Sequence, residues 1–284
     1  MNHIIVIGGN GQLGQCLQEV VNKAPQPYTY IFLAQADLNI TLDSQIKAVF
    51  ERYQPVFCIN CAAYTAVDQA EEDQEAAYQV NEHAVKNLAE VCAAYQTTLI
   101  HISTDFVFDG LLGIPLTEEA VTNPINVYGQ SKLNGERAIA QVLENYYIIR
   151  TSWLYSEKAN NFCKTMLKLA QVKEHLQVIY DQVGTPTYAM DLARVIITII
   201  NANQKAYGIY HYSNEGVASW YDFAKAIFEF AEVDIEVEAV NSSAFITKAK
   251  RPHYSVLDKA KIKNTFDITI PYWKESLNRC INRI

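Results

Sequence analysis

A glycine-rich turn between a short strand and a helix constrains the fold of this chain most. Residues 3–7 form a largely β-branched run, which predicts a strand covered on both faces. Glycines let the backbone approach a pyrophosphate, and the amino terminus of a following helix presents free N–H groups to its phosphates. The order of these elements favours a dinucleotide site over an ordinary tight turn. The predicted contacts are Gly8, Gly11, Gln12, Leu13 and Gly14.

Strand and helix patterns alternate along the first half of the chain. Strands are predicted at 28–33, 56–60 and 97–102, with helices at 43–53 and 71–95 between them. The alternation predicts an α/β fold with a doubly wound parallel sheet of the Rossmann type.

Two domains are expected. Residues 1–150 would form the dinucleotide-binding domain, and residues 151–284 mainly a second, smaller α/β substrate-binding domain that caps the crevice. A short strand at 208–212 is assigned to this smaller domain, whereas a helix near 188–203 could return to the first domain.

The composition limits the class of ligand. A net charge of −8 disfavours nucleic acid, because phosphate contacts need a basic face. No apolar run approaches the roughly 18 residues of a membrane span, and the amino terminus lacks the charged segment of a signal peptide. The six cysteines lie mostly in apolar contexts, as buried thiols do. We expect a cytoplasmic protein that binds a small molecule, with no nucleic-acid or membrane partner.

Tyr128 and Lys132 are the first candidates for chemistry. Residues four apart on a helix share a face, so both side chains would point the same way. An ammonium stabilises a phenolate, so we expect Lys132 to lower the pKa of Tyr128 and make it a proton donor for a carbonyl. With 18 tyrosines this spacing also arises by chance. It recurs at Tyr221 and Lys225, in an apolar helical stripe that we interpret as core.

Residues at the end of the fourth strand favour Tyr128 and Lys132 over the second Tyr–Lys pair as candidates for chemistry. The fourth strand is followed by Ser103 and Thr104, and such a sheet delivers its strand ends to the cofactor crevice. A hydroxyl there can hold a substrate carbonyl in line with Tyr128, although two polar residues capping a turn are the alternative. The loop with Ala62 and Ala63 follows the third strand, and its small residues favour ligand contact over a plain connection.

The end of the second strand leaves the cofactor open between NADH and NADPH. A carboxylate there would bind the ribose hydroxyls of NAD, whereas an arginine would favour the 2′-phosphate of NADP. The chain has Gln35 and Ala36 at this point, no arginine lies nearby in the sequence, and the carboxylate of Asp37 follows slightly beyond the expected position. We predict weak discrimination, with Asp37 and Leu38 among the cofactor contacts.

Together these motifs resemble the extended short-chain dehydrogenase/reductase family, and within it the reductases of dTDP-linked 4-keto-6-deoxy sugars. The resemblance runs from residue 4 to about residue 260. The stretches that match, in the family's order, are 11–14, 62–68, 103–110, 150–155, 181–187 and 251–257.

The resemblance implies hydride transfer from NADPH or NADH to the C4 carbonyl of dTDP-4-dehydro-6-deoxy-L-mannose, giving dTDP-L-rhamnose. It implies Thr104, Tyr128 and Lys132 as catalytic residues, with Tyr128 and Lys132 also contacting the cofactor. Further implied cofactor contacts are Ala62, Ala63 and Tyr64. The implied substrate contacts are Thr104, Asp105, Phe106, Tyr128, Trp153, Arg251 and Ser255.

Some relatives in that family dimerise around magnesium held by glutamates. This chain has Gln15 on the first helix and Met190 in the later region instead. We therefore predict no metal site, and either a monomer or a homodimer.

Two other functions compete with a reductase. A non-catalytic NADP-binding regulatory subunit, like that of methionine adenosyltransferase, is similar in sequence, but the retained Thr104, Tyr128 and Lys132 argue against it. A sugar-nucleotide dehydratase needs a second acid after the strand-end Thr-Asp pair, where this chain has Phe106.

Overall fold

A computed structural model describes residues 2–202 and 204–284. Residue 203, the last position of the predicted return helix, lies outside the described residues, as does residue 1. The strands in the described ranges are β1 (His3–Ile7), β2 (Thr29–Leu33), β3 (Phe57–Asn60), β4 (Thr98–Thr104), β5 (Tyr146–Thr151), β6 (Leu154–Tyr155), β7 (His175–Ile179), β8 (Val183–Gly184), β9 (Thr187–Tyr188), β10 (Gly208–His211), β11 (Ala218–Ser219) and β12 (Glu236–Val240).

Six of the strands in the described part of the chain form one parallel sheet in the order β10-β5-β4-β3-β1-β2. β1 lies second from one edge, between β2 and β3, with Ile5 paired to Ile31 on one side and to Cys58 on the other. β4 pairs with β5 up to its last residue, Thr104, which lies opposite Thr151. The sheet confirms the predicted Rossmann-type α/β fold.

Helices cover both faces of this sheet. The helices in the described ranges are α1 (Gln12–Asn22), α2 (Asp43–Tyr53), α3 (Val67–Ala70), α4 (Gln74–Tyr78), α5 (Ala84–Ala94), α6 (Val127–Val142), α7 (Phe162–Ala170), α8 (Ala189–Ala202), α9 (Trp220–Phe230), α10 (Ala260–Phe266) and α11 (Trp273–Ile281).

Alternate residues of β1 belong to different layers of the core. Ile4 and Val6 pack in the cluster that contains apolar residues of α1 and α8. Ile5 and Ile7 pack in the cluster that contains those of α2 and α5. Burial on both faces explains why β1 is a continuous apolar run without a polar alternation.

The region 71–95 is divided, although the sequence predicts one long helix there. α4 begins after Asp73, whose side chain accepts a hydrogen bond from Ala76 N at 3.2 Å. A single π-helical turn, Gln79–His83, then separates α4 from α5. It brings the backbone against α6, where a Cβ added to Gly135 would lie 2.2 Å from the carbonyl oxygen of the buried Asn81. Apolar periodicity does not reveal such a turn, because the flanking helical pattern continues through it.

β10 corrects the expected placement of residues 208–212. The segment Gly208–His211 pairs with β5 and forms an edge of the main sheet, not a strand of the smaller domain. α8 packs against α1 on one face of the same sheet. The chain therefore returns to the sheet after residue 151 with both a helix and a strand.

The rest of the carboxyl-terminal half packs over the carboxyl ends of the main strands. β12 pairs with β7, β11 with β8, and β6 with β9. α9 packs between α7 and α11, and the latter buries Trp273, Leu277 and Cys280. Within the described ranges, no helix is long and apolar enough to cross a bilayer.

Candidate active site

A cavity of about 1090 Å³ opens at the carboxyl ends of β1, β3, β4 and β5. Most single-ligand pockets span roughly 300–1,000 Å³, so this one is at the large end of that range. It brings together most of the residues that the sequence singles out. They are Gly8, Gly11, Gln12, Leu13, Leu38, Ala62, Ala63, Tyr64, Thr104, Asp105, Phe106, Tyr128, Lys132, Trp153 and Arg251.

The loop between β1 and α1 has the form of a phosphate cradle. Gly8 adopts a φ of +79°, and a Cβ there would lie 3.0 Å from Ala62 N. A Cβ on Gly14 would lie 2.4 Å from Gly8 O, so Gly14 serves the close packing of α1 on β1 and does not line the cavity. Gly11 caps α1 without a side-chain hydrogen bond, which leaves the first-turn N–H groups for an anion. These residues fit a dinucleotide pyrophosphate.

Gln12 lines the cavity, but its side chain binds protein groups. Its Nε2 donates to Leu154 O at 3.0 Å, and its Oε1 accepts from Asn161 Nδ2 at 2.7 Å. Gln12 therefore ties the glycine loop to the segment before α7, and its backbone N–H is the group that remains for a phosphate.

Two asparagines that sequence reasoning missed hold the loop after β3. Asn60 Oδ1 accepts from Ala62 N at 3.1 Å. Asn81 Oδ1 accepts from Tyr64 N at 2.9 Å, and its Nδ2 donates to Tyr64 O at 3.0 Å. Both asparagines are buried, and they fix the small residues of the loop against the cavity. The sequence signal that could have identified Asn60 and Asn81 is that each is a polar residue within an apolar pattern.

Tyr128 and Thr104 meet at the carboxyl end of β4. Asn126 caps α6 by accepting from Gly129 N at 2.7 Å, which places Tyr128 in the first turn. The Thr104 hydroxyl lies beside the Tyr128 phenol, and the Phe106 ring meets this phenol edge-on at 5.8 Å. Burial raises the pKa of Tyr128 to about 12, against the opposite effect of Thr104. At neutral pH the phenol therefore keeps its proton, as a general acid must.

Lys132 is buried one turn after Tyr128. Its Nζ donates to Ile102 O at 2.6 Å and lies 3.2 Å from His101 Nε2. Burial lowers the pKa of Lys132 to about 8, while Glu136 acts in the opposite direction. The prediction that Lys132 lowers the pKa of Tyr128 is wrong, because the lysine engages β4 and the burial of the phenol dominates.

His101 and Asn60 complete a buried series of interacting side chains behind Lys132. His101 Nδ1 lies 3.2 Å from Asn60 Nδ2, and neither residue is exposed. Burial lowers the pKa of His101 well below its ordinary value, and Lys132 adds to this effect, so the ring is neutral. The series ends at the hydrogen bond between Asn60 and Ala62 N.

A buried ion pair sets the position of β4 relative to α6. Ser103 Oγ donates to Glu136 Oε1 at 2.5 Å, and Arg150 Nη2 donates to Glu136 Oε2 at 2.6 Å. The exposed fraction of these three residues is at most 4%. Ser103, whose hydroxyl is committed to Glu136, therefore supports the geometry of its neighbour Thr104.

Asp105 follows Thr104 and lines the cavity. Its Oδ1 accepts from Thr104 Oγ1 at 3.0 Å, while its Oδ2 has no hydrogen-bond partner among the described residues. Burial raises the pKa of Asp105 to about 6, and the Ser255 and Thr104 hydroxyls act in the opposite direction. Ser255 is thus placed against the Asp105 carboxyl and not among the residues of the cavity wall.

Trp153, Trp220 and Phe162 form an aromatic wall of the cavity. The two indoles stack with centroids 3.6 Å apart and planes 8° apart, and the Phe162 ring lies 4.7 Å from Trp220. Trp153 has a φ of +45°, which bulky residues rarely adopt. The apolar stripe placed Trp220 in the core, whereas the structure also gives it a face on the cavity.

The second Tyr–Lys pair lies outside this site. On α9 the apolar residues Phe223, Ala224 and Ile227 are buried, and Lys225 is exposed. Tyr221 lines a separate, open groove. The interpretation of this helix as core packing is confirmed.

A strap formed by residues 248–251 crosses to the amino-terminal half at the cavity. Arg251 lines the cavity while its Nη2 donates to Asp68 Oδ2 at 2.5 Å. Arg251 holds the pKa of Asp68 below its ordinary value. A second ion pair joins Lys248 to Glu72.

Asp37 is not brought to the cavity. Its Oδ2 accepts from Ala34 N at 2.9 Å, so the carboxylate caps its own turn, and the side chain is exposed. Gln35 and Leu38 line the cavity at this end of β2.

No cluster of His, Cys, Asp or Glu suited to a metal ion occurs within residues 2–202 and 204–284. Gln15 Nε2 donates to Asn10 O at 2.7 Å, and Met190 is buried in the core.

The family model for the RmlD substrate binding domain matches residues 1–284. The chain belongs to the RmlD substrate binding domain family. The dTDP-4-dehydrorhamnose reductase of Aggregatibacter actinomycetemcomitans is 39% identical to this RmlD-family chain over 287 residues, which cover 98% of this chain and 97% of that protein. The dTDP-4-keto-6-deoxy-D-glucose reductase of Streptomyces niveus is 35% identical over 277 residues, with 97% and 95% covered.

A solved structure extends this likeness to three dimensions. The dTDP-4-dehydrorhamnose reductase of Bacillus anthracis strain Ames, crystallised in complex with NADP, matches with a TM-score of 0.96. It is 38% identical, and the match covers 100% of both chains. The resemblance seen in the sequence motifs is confirmed for the family.

Proposed function

We propose that this RmlD-family protein reduces the C4 carbonyl of dTDP-4-dehydro-6-deoxy-L-mannose with NADPH or NADH and releases dTDP-L-rhamnose. The observation that carries the proposal is that one cavity contains the glycine cradle together with Thr104, Tyr128 and Lys132. The names of the relatives at 38–39% identity support the substrate, and the NADP complex of one of them supports the cofactor.

The chain supplies a proton and a fixed geometry to this reaction. Bound nicotinamide would supply the hydride. Tyr128, which keeps its proton at neutral pH, would donate it to the carbonyl oxygen, while the Thr104 hydroxyl at the same strand end would orient that oxygen. Lys132 lies on the same helix face one turn away, where its ammonium can reach a ribose hydroxyl.

We assign the nucleotide sugar to the part of the cavity lined by Phe106 and by the carboxyl-terminal half. Phe106 and the aromatic wall offer flat apolar faces, and Arg251 offers a cation for a diphosphate. On this assignment residues 1–150, together with α8 and β10, form mainly the cofactor-binding domain. The remainder of 151–284 forms mainly the substrate-binding domain.

The test is oxidation of NADPH and of NADH in the presence of dTDP-4-dehydro-6-deoxy-L-mannose. We expect turnover with both cofactors. The same assay with dTDP-4-keto-6-deoxy-D-glucose distinguishes the substrate in the name of the Streptomyces relative. Cofactor binding without oxidation of either sugar would favour the non-catalytic regulatory subunit and contradict the proposal.

Assembly and location are parts of the same proposal. We infer a monomer or a homodimer, which light scattering on the purified protein would test. The six cysteines of the chain are free thiols, consistent with a reducing compartment, and we place the reaction in the cytoplasm. Fractionation of the source cells would test this location.

A further inference from the structure

Each reduction by the proposed mechanism leaves Tyr128 as a phenolate, and the phenol must recover a proton before the next cycle. The groups in contact with Tyr128 and Lys132 define two routes for this proton. One route runs behind Lys132 into the sheet, and the other runs through Thr104 along the cavity.

The route behind Lys132 is closed. Lys132 Nζ contacts Ile102 O and His101 Nε2, and His101 leads only to Asn60. Asn60 in turn accepts from Ala62 N, a backbone amide that does not release its proton. His101 and Asn60 are fully buried, so the series of side chains behind Lys132 does not exchange protons with water, although Lys132 itself lines the cavity.

The route through Thr104 ends in a carboxyl group. The Thr104 hydroxyl lies beside the Tyr128 phenol and donates to Asp105 Oδ1 at 3.0 Å. Asp105 lines the cavity, and its Oδ2 is unpaired among the described residues although the residue is 2% exposed. The groups facing this carboxyl are Tyr128 from α6, Ser255 from the segment before α10, and Thr104 from β4. Burial raises the pKa of Asp105 to about 6, which lets it carry a proton close to neutral pH.

We propose that Asp105 is the proton-relay residue that restores Tyr128 after each turnover, acting through the hydroxyl of Thr104. The inference rests on the proposed reductase function. The sugar oxygen first takes the phenol proton as C4 receives the hydride. The phenolate then accepts the Thr104 hydroxyl proton while Thr104 accepts the carboxyl proton of Asp105. Water in the cavity returns a proton to the carboxylate, so one solvent proton is consumed for each carbonyl reduced.

The relay predicts that the first turnover and later turnovers respond differently to Asp105→Asn. An amide keeps the shape of the carboxyl but does not deliver its proton. Rapid mixing of the variant with excess NADPH and sugar should consume one NADPH per enzyme at close to the unmodified rate. A steady phase at least about tenfold slower should follow, since a lost proton transfer costs roughly 10²–10⁴ in rate. Near-ultraviolet absorption of tyrosinate should build up during this slow phase.

Asp109→Asn is the matched control. Asp109 lies four residues later and binds Leu111 N and Asn123 Nδ2, outside the relay. Both phases of this variant should match those of the unmodified enzyme. In Asp105→Ala, added formate should restore the slow phase, because a small carboxylic acid can take the place of the missing group. A purely structural role of Asp105 does not predict this rescue.

Three results would overturn the relay while leaving the reductase function intact. A first turnover slowed as much as the steady rate would make Asp105 part of the chemical step or of substrate binding. A higher KM with unchanged kcat would make it a substrate contact only. Steady turnover at the unmodified rate in both Asp105 variants would mean that the proton enters elsewhere. Absence of sugar-dependent NADPH oxidation in the unmodified enzyme would instead remove the reductase function and the relay together.

Discussion

Tyr128 and Lys132 illustrate how burial sets the protonation state of a residue pair. Burial disfavours the charged form of each side chain, so the pKa of the phenol rises to about 12 and that of the amine falls to about 8. The spacing of the two residues predicted their shared face but not their burial. The phenol is protonated at neutral pH with either its ordinary or its raised pKa, so the proposed role of Tyr128 as a proton donor does not depend on the first shift.

Tyr128→Phe should remove the general acid and little else. We expect kcat to fall by roughly 10² or more, the usual scale for this loss. Affinity for NADPH, measured by fluorescence titration, should change by less than about twofold. Tyr221→Phe is the control, because Tyr221 lies on α9 outside the cavity, and it should keep full activity. Equal losses in the two variants would contradict the assignment of Tyr128.

Lys132→Met should lower activity and weaken NADPH binding together, because the ammonium is proposed to contact the nicotinamide ribose and so to position the cofactor. Binding is measured by fluorescence titration and turnover by NADPH oxidation. Unchanged affinity for NADPH would remove the proposed ribose contact.

The same substitution has a second consequence, for stability. The pKa of Lys132 is about 8 in the folded protein against an ordinary value of 10.5, so between these pH values the unfolded chain binds more protons. Burial of this lysine therefore costs stability below pH 8, and the cost shrinks as the pH rises to 10.5. We expect Lys132→Met to be at least as stable as the unmodified protein at pH 7. Urea titrations across this pH range should show the difference narrowing; a difference independent of pH would contradict the buried-lysine account.

At the scale of elements, we expect the turn after β2 to set the preference between NADH and NADPH. Asp37 caps this turn through Ala34 N, and Gln35 is the residue that lines the cavity. A neutral amide neither repels a 2′-phosphate nor binds it as an arginine would. The kcat/KM values for NADH and NADPH should therefore differ by no more than about tenfold, or 1.4 kcal/mol.

Gln35→Asp should shift this preference towards NADH, since a carboxylate accepts from the ribose diol and repels a phosphate. Asp37→Asn, which changes a charge that does not line the cavity, should leave the ratio within about twofold. The ratio of kcat/KM values for the two cofactors decides the matter. A larger effect from Asp37→Asn than from Gln35→Asp would show that the wrong side chain has been assigned to the ribose.

Elements defined by two-sided burial were predictable, and those defined by contacts between distant segments were not. β1 and β4 were evident from their apolar runs, and Thr104 was correctly expected at the strand end. The π-helical turn at 79–83 was missed because the tight contact found there, between Asn81 and Gly135 of α6, joins segments far apart in sequence. β10 was placed in the wrong layer, since four residues beside β5 carry no local sign of the sheet they join.

At the scale of the whole molecule, the strap joins the two halves of the cavity wall. The Arg251–Asp68 pair is partly exposed, with side-chain exposures of 22% and 43%, so its expected contribution is about 1 kcal/mol or less. Asp68→Asn should free Arg251 and raise the KM for the nucleotide sugar by up to about fivefold, with little change in kcat.

Glu72→Gln is the matched control for the strap. The Lys248–Glu72 pair is more exposed, at 58% and 61%, and Glu72 does not line the cavity. Its KM should stay within about twofold of the unmodified value. A higher KM in Glu72→Gln than in Asp68→Asn would show that the strap acts by anchoring the chain and not by positioning Arg251.

The candidate site was only partly predictable, because several of its contacts join segments that are distant in sequence. Most of the predicted residues line one cavity because the ends of parallel strands converge there. Ser255 against Asp105, Asp68 on Arg251 and Trp220 on Trp153 are pairs between segments far apart in sequence. No spacing rule for a single element contains such information.

The stacked indoles of Trp153 and Trp220 should give the protein a characteristic fluorescence and near-ultraviolet circular dichroism signal. The chain has three tryptophans, and these two lie 3.6 Å apart on the cavity wall, while Trp273 is buried in the core. Indoles this close couple electronically, so their emission and near-ultraviolet circular dichroism depend on their mutual angle. We expect a nucleotide sugar that binds against Trp153 and Trp220 to change their emission and circular dichroism. The contribution of the buried Trp273 should stay constant. Binding to the unmodified protein can therefore be followed by light alone, without a label.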